Sequence, residues 1–379
     1  MCDIFIACTP YHILLSYAIA SIQGNLTDRY LFIISDFKRA DALVHLFERL
    51  CKPHFAKIHW LPGIYRKTNK FVQGIVIKKN VNTMRWFVNR HKVDRIYVFN
   101  DGGPESQAAL YYGKLGNKNA IGVYVEDGIG AYTSYTRNRR SKFKMLMGRL
   151  FFGMPWKDIS VLGTSTWIEE IFVIFPQLVR AELLGKRVKS ISSHALLDLP
   201  NQTPLSDILS LLNVTIDEWR QIDAVLLLAN SVYGNKCATY KQAIKTLVSS
   251  ANNCGVRLAV KYHPSELKVD YLSIEGFQEI LVIPKGLPAE LVYIFLPERI
   301  KFIIGDLSTS LLTAKWLLSN VTIVSIAPFL GQILGQIAPF LGQTEIKLFE
   351  TFRKLGIKEV GSFSEIKAIF HNELRHKEA

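Results

Sequence analysis

Short apolar runs rich in Val, Ile, Leu and Phe recur along this chain. Each closes on a polar or glycine-containing turn and is followed by a stretch with apolar residues at three and four spacing. Alternating strand and helix periods are what repeated βα units require, so the chain is committed to parallel sheets covered by helices. In the N-terminal half DIFIACT precedes ILLSYAIASIQ, YLFIISD precedes ADALVHLFERL, and AKIHWLP precedes a helix around NTMRWFVNRHK. DRIYVFN then leads to a helix starting near Glu105 or Ser106, and AIGVYVEDG repeats the strand-then-loop pattern. After a polar stretch the alternation resumes with AVLLLANS, YKQAIKTLVSSANN, RLAVKYH, QEILVIP, AELVYIFL, IKFIIGD, TSLLTAKWLL and VTIVSIA. Two amphipathic helices, EIKLFETFRKLG and FSEIKAIFHNEL, close the chain.

With 379 residues the chain exceeds one ordinary core. The expected fold is α/β, two Rossmann-like domains with parallel sheets facing a cleft. The N-terminal domain is expected over 1–190, a linker containing DLPNQTPLSD over 191–221, and the C-terminal domain over 222–379. Hydrophobic content of 49% with 21% charged residues excludes a largely disordered protein. The net charge of +14 calls for an anionic partner: nucleic acid, anionic lipid, a charged polysaccharide or a nucleotide donor.

The five cysteines form neither a C-x-x-C pair nor a Cys/His array, which argues against structural zinc and a disulfide framework and favours a reducing compartment. The start, MCDIFIACTPYHILLSYAIA, has no basic n-region and reads as a strand and helix, so a cytoplasmic location is expected. Trp316 to Thr344 holds no charged residue and takes in most of an 11-residue near-duplication, SIAPFLGQILG then QIAPFLGQTEI. Its prolines, Pro328 and Pro339, with its glycines and glutamines, favour a buried strand VTIVSIA and an apolar loop over a membrane span or a membrane-touching loop.

Three segments at strand ends carry chemistry. Glu126 and Asp127 follow VYV and precede Gly128, holding two carboxylates at a strand tip; adjacent like charges make at least one more basic, although a solvated turn has the same sequence. His263 ends LAVKY and Pro264 restrains it to an extended backbone, so the imidazole is either aimed out of the sheet as a proton donor or merely terminates the strand. Ser308, Thr309 and Ser310 open the helix of GDLSTSLLTAKWLL, as an anion site or as a plain cap. No G-x-G-x-x-G, no P-loop and no Asp-x-Asp is present, so nucleotide handling would fall to hydroxyls, backbone N–H groups and basic residues, without a metal or other cofactor.

Taken together, the [DE]-[DE]-G, H-P and Ser/Thr motifs and the opening CTPYHILLS resemble the bacterial sialyltransferases and polysialyltransferases of glycosyltransferase families 38 and 52, which have the GT-B fold. The resemblance covers most of the chain. It implies an inverting, metal-independent transfer of sialic acid from CMP-sialic acid to a hydroxyl of a cell-surface glycan, in a polysialic capsule or lipooligosaccharide. Glu126 or Asp127 would be the base, His263 the group protonating or hydrogen-bonding the departing CMP phosphate, and Ser308, Thr309 and Ser310 its cradle next to Pro264. Glu290, in GLPAEL, would contact the donor ribose, although an acid in the first turn of a helix is the simpler reading.

The basic stretch RNRRSKFKMLMGRLFF, with Arg137, Arg139, Arg140, Lys142 and Lys144, reads as a contact for the acceptor or for the inner face of an anionic membrane, or as a solvated helix face; no RNA-module signature supports nucleic acid. NDGGPES lines the acceptor side or is a structural turn. Two alternatives stand beside the transferase: a GT-B sugar-nucleotide epimerase, and a non-catalytic polysaccharide-binding protein.

Overall fold

The structure, a computed structural model, describes every residue except 25–26, 38–39, 65–68, 134–135, 137–139, 213–214, 229–237, 264–271, 273–279, 296–299, 307, 334–342 and 376–379. The chain divides into two compact units, Met1–Leu196 and Leu197–Ala379.

The first unit is built on a seven-stranded sheet. Its strands are β1 (Cys2–Ala7), β2 (Asp28–Ser35), β3 (Lys57–Pro62), β4 (Val93–Val98), β5 (Ile121–Val125), β6 (Glu170–Val173) and β7 (Arg187–Ser190). They lie in the order β3-β2-β1-β4-β5-β6-β7, and every pairing is parallel. β1 is buried along its whole length, which its near-continuous apolar sequence CDIFIA requires of a central strand covered on both faces. β7, RVKS, is exposed and charged, as suits an edge. The order reverses between β1 and β4, so this sheet has its switch point there.

β6 and β7 were not among the expected strands. They occupy the region where the sequence changes character, and Glu170, which opens β6, is buried against Arg95, Arg187 and Lys189.

The second unit holds a six-stranded parallel sheet ordered β10-β9-β8-β11-β12-β13. Its members are β8 (Ala224–Leu227), β9 (Leu258–Lys261), β10 (Ile280–Ile283), β11 (Phe302–Gly305), β12 (Thr322–Ser325) and β13 (Lys358–Glu359), with the switch point between β8 and β11. Leu226, Val260 and Ile304 share one core with Ile244 and Leu247 of the helix Ala238–Asn253 and Phe370 of the last helix.

The expected linker, 191–221, carries short helices at His194–Leu197, Leu199–Gln202, Leu205–Leu212 and Ile216–Arg220, and the units divide within it. A capping box joins Thr215 and Glu218, while Trp219 is buried and donates its indole N–H to the Phe295 carbonyl at 3.0 Å. The near-duplication also departs from expectation. Its first copy follows β12 as a helix, Ala327–Ile333, where a loop was expected; Pro328 sits in the first turn, where its fixed φ suits a helix start. The second copy lies largely outside the described residues. Among the described residues no helix is long and apolar enough to cross a membrane.

Candidate active site

The helix Pro10–Ile22 starts directly after β1, with Thr9 as N-cap accepting from the His12 N–H at 3.2 Å. That start places Tyr11 and His12 at the carboxyl end of the central strand. β5 ends one residue before Glu126, and Gly128 takes φ 79°, a left-handed conformation that explains why the acidic pair is followed by glycine.

The two acids point to different partners. Glu126 is 1% exposed. Its Oε1 accepts from the Tyr11 hydroxyl at 2.6 Å, and its Oε2 accepts from the Ile174 N–H at 2.8 Å and from the Tyr132 hydroxyl. Burial pushes its carboxyl up to about 7, against the opposing effect of those donors. Asp127 is 33% exposed and accepts from His12 Nε2 at 2.7 Å.

His12 is nearly fully buried and stacks on Phe99, just past β4, at 4.1 Å with the rings 6° apart. Its Nδ1 accepts the Cys8 N–H at 3.2 Å, so the proton of the neutral ring sits on Nε2 and faces Asp127. The first sheet thus gathers two carboxylates, two tyrosines and a histidine around its switch point. Nothing in the local sequence around Glu126 announces Tyr11 and His12; the only signal was CTPYHILLS at a strand end.

Two residues of the other expected contacts, Asp101 and Arg140, are held within the fold. Asp101, of NDGGPES, is fully buried and accepts from the Gly163 and Ser165 N–H groups at 2.9 and 3.0 Å, which makes that loop a structural turn. Arg140 is held by Asp158 at 3.1 Å and lies over Trp156 at 4.7 Å, so its charge is used within the fold. Lys142 and Lys144 open the helix Lys142–Phe152 and are exposed. Arg137 and Arg139 lie outside the described residues.

In the second unit His263 stands two residues past β9 and is exposed, at the carboxyl edge of the sheet; Pro264 lies outside the described residues. Ser308 caps the helix Thr309–Leu317 at the same edge by accepting the Ser310 N–H at 3.2 Å, and Thr309 is exposed. The plain cap is therefore present, with the hydroxyls just past β11, beside the switch point.

Glu290 is buried in the helix Ala289–Ile294 and accepts the Thr313 hydroxyl at 3.0 Å; burial raises its carboxyl above the ordinary range. Tyr293 donates to the Ser310 carbonyl at 3.0 Å, and Thr313 to the same carbonyl at 3.1 Å, which ties Glu290 to the serine segment. Lys261, the last residue of β9, is 5% exposed. Its ammonium has no hydrogen-bond acceptor among the described residues, and burial lowers its pKa to about 8, a group the sequence did not single out. No cluster of three metal-ligating side chains occurs among the described residues.

Two parallel Rossmann-type sheets with flanking helices, each with polar groups at its switch point, define the GT-B class, which includes glycosyltransferases and sugar-nucleotide epimerases. The chain belongs to the alpha-2,8-polysialyltransferase (POLYST) family, whose model matches residues 3–327. No curated protein sequence matches it. Among solved structures it is similar to an α/β-galactoside α-2,3-sialyltransferase from Photobacterium phosphoreum, with 12% identity, 94% of this chain and 98% of that one covered, and a TM-score of 0.53. It is also similar to the UDP-GlcNAc 2-epimerase of Methanocaldococcus jannaschii, with 15% identity, coverage of 93% and 92%, and a TM-score of 0.55. The UDP-GlcNAc 2-epimerase of Neisseria meningitidis gives 11% identity, coverage of 99% and 100%, and a TM-score of 0.53. At these identities the structural likeness speaks for the fold, and the family match separates transferase from epimerase.

Proposed function

We propose that the chain is an inverting, metal-independent sialyltransferase that moves sialic acid from CMP-sialic acid to a hydroxyl of an already sialylated cell-surface glycan. The observation that carries this reading is Glu126, a carboxylate whose three donors orient it and whose burial makes it basic near neutral pH, as a general base requires.

In this reading the acceptor hydroxyl displaces the Tyr11 hydroxyl from Oε1 of Glu126 and loses its proton there. Asp127, held by His12, orients the acceptor through a neighbouring hydroxyl. The acceptor oxygen attacks the anomeric carbon as the bond to the CMP phosphate breaks. His263 donates a proton to the departing phosphate, and Ser308, Thr309 and Ser310 hold its oxygens, so charge is met by preorganised donors. Glu290 accepts from the donor ribose. The excess of basic residues, +14 overall, suits a polyanionic acceptor.

Purified protein supplied with CMP-sialic acid should release CMP only when an oligosialic acid is present, extend it by added residues, and do so in EDTA. Acceptor-independent interconversion of UDP-sugars would establish an epimerase instead. Glycan binding without turnover would establish a binding protein.

A further inference from the structure

The first unit carries an apolar surface that the transfer reaction does not use. It spans two helices far apart in sequence, Lys70–Arg90 and Lys142–Phe152. They meet where the Phe151 ring lies against Gly74, and Lys78 reaches over that ring to the Phe151 carbonyl. On the first helix Phe71 and Ile75, four residues apart, share a face; on the second, Phe143, Leu146 and Leu150 do. Phe71 is 75% exposed, Phe143 71% and Leu150 70%. Large apolar side chains gathered in one exposed patch mark an interaction surface.

The charge on these helices selects the partner. The first holds five basic residues and the second three, and neither contains an Asp or Glu. Lys78 and Lys79 follow Ile75 by three and four residues, one turn on, while Lys142 and Lys144 flank Phe143. Two copies of such a face would repel each other, which argues against self-association. A soluble polyanion would match the lysines but leave the phenylalanines and leucines in water. An anionic bilayer satisfies both: apolar side chains enter the acyl boundary and the ammonium groups stay among the headgroup phosphates.

We propose that the helices Lys70–Arg90 and Lys142–Phe152 form one membrane-docking face that seats the first unit on an anionic lipid surface. The face is separate from the proposed catalytic residues, so docking does not depend on the identity of the sugar donor.

The test uses full-length protein without substrate, floated with vesicles of phosphatidylcholine alone or mixed with phosphatidylglycerol. Binding should favour the anionic vesicles, since each basic residue near such a surface strengthens attachment about fivefold. It should weaken as salt rises. Phe143→Ser with Leu150→Ser should lower vesicle affinity by about tenfold or more, and Phe71→Ser with Ile75→Ser, on the other helix, by a similar factor. These side chains are exposed, so melting temperatures should hold; a variant that fails to fold is replaced by Lys79→Gln with Lys144→Gln, both exposed, read on the same vesicles.

Vesicle binding that ignores both apolar pairs, with oligosialic acid competing for the lysines, would reassign the face to a polyanion. Loss of a concentration-dependent dimer in the apolar variants would reassign it to a second copy. Equal binding of wild type and all variants would remove it as a docking face.

Discussion

Glu290 apart, the two units treat the polar groups beside their sheet ends in opposite ways. In the first, both carboxylates are held by neighbours: Glu126 is enclosed by Tyr11, Tyr132 and Ile174, and Asp127 is fixed by a histidine that is itself stacked and hydrogen-bonded. In the second, His263 and Thr309 stand exposed at the sheet edge, and the buried Lys261 has no acceptor among the described residues. A base needs its basicity built into the fold, because desolvation, neighbouring charge and fixed donors set it. In the proposed reaction the groups that meet the phosphate need only be presented, because the phosphate supplies the countercharge.

The sharpest attack on this contrast is Glu126→Gln. The amide keeps the shape and can satisfy Tyr132 and Ile174 through its oxygen, so folding should persist while turnover falls by about 10²- to 10⁴-fold. Asp127→Asn should instead raise KM for acceptor more than it lowers kcat; the reverse pattern would move the base to Asp127. In wild type, log kcat/KM should fall as pH drops below about 7, where Glu126 takes up its proton, and the glutamine variant should lose that limb. Stability moves the other way. The folded carboxyl titrates at about 7 against an ordinary 4.5, so the native state binds the proton more tightly and stability declines as pH rises between those values. Glu126→Gln should therefore melt higher than wild type above pH 7, and scanning calorimetry at two pH values checks it.

His263→Ala, in the presented site, should cost activity on the same scale of about 10²-fold or more with no loss of melting temperature, because the side chain is exposed. A drop in melting temperature matching the loss of activity would make His263 a structural residue and blur the distinction between the units.

His12→Phe is a milder probe. The ring can keep its stack on Phe99, but the Cys8 N–H loses its acceptor and Asp127 loses its donor. We expect a loss of stability of about 1–3 kcal/mol and a several-fold rise in acceptor KM. An unchanged KM would show that Asp127 needs no positioning.

The parallel strands of both sheets were largely legible because apolar runs and helical spacing are local signals. DIFIACT became β1, IKFIIGD became β11, and Glu126, His263 and Ser308 all stand just past strand ends. β7 escaped because RVKS is a short exposed edge with no apolar pattern. Tyr11 and His12 escaped because their partners lie 115 residues away, past a strand that is separated from β1 by β4, and such a contact leaves no periodicity to read. The docking face was half legible: SKFKMLMGRLFF showed its helix, whereas of the helix beside it, Lys70–Arg90, only the C-terminal part around NTMRWFVNRHK was read, and Phe71 and Ile75 lie before it.

Lys261 has a consequence for how the protein responds to heat. A buried ammonium with a depressed pKa of about 8 is a charge the fold disfavours, so the second unit should gain stability as pH climbs from about 8 toward the ordinary lysine value. Lys261→Met, close in shape and uncharged, should melt above wild type near pH 7. If an anionic ligand reaches this lysine, the order reverses once the ligand is added: wild type gains the larger shift in melting temperature with CMP, because binding to the native state alone adds RT ln(1 + [L]/Kd). A thermal trace with and without CMP would then report occupancy of the second unit without any sugar being transferred.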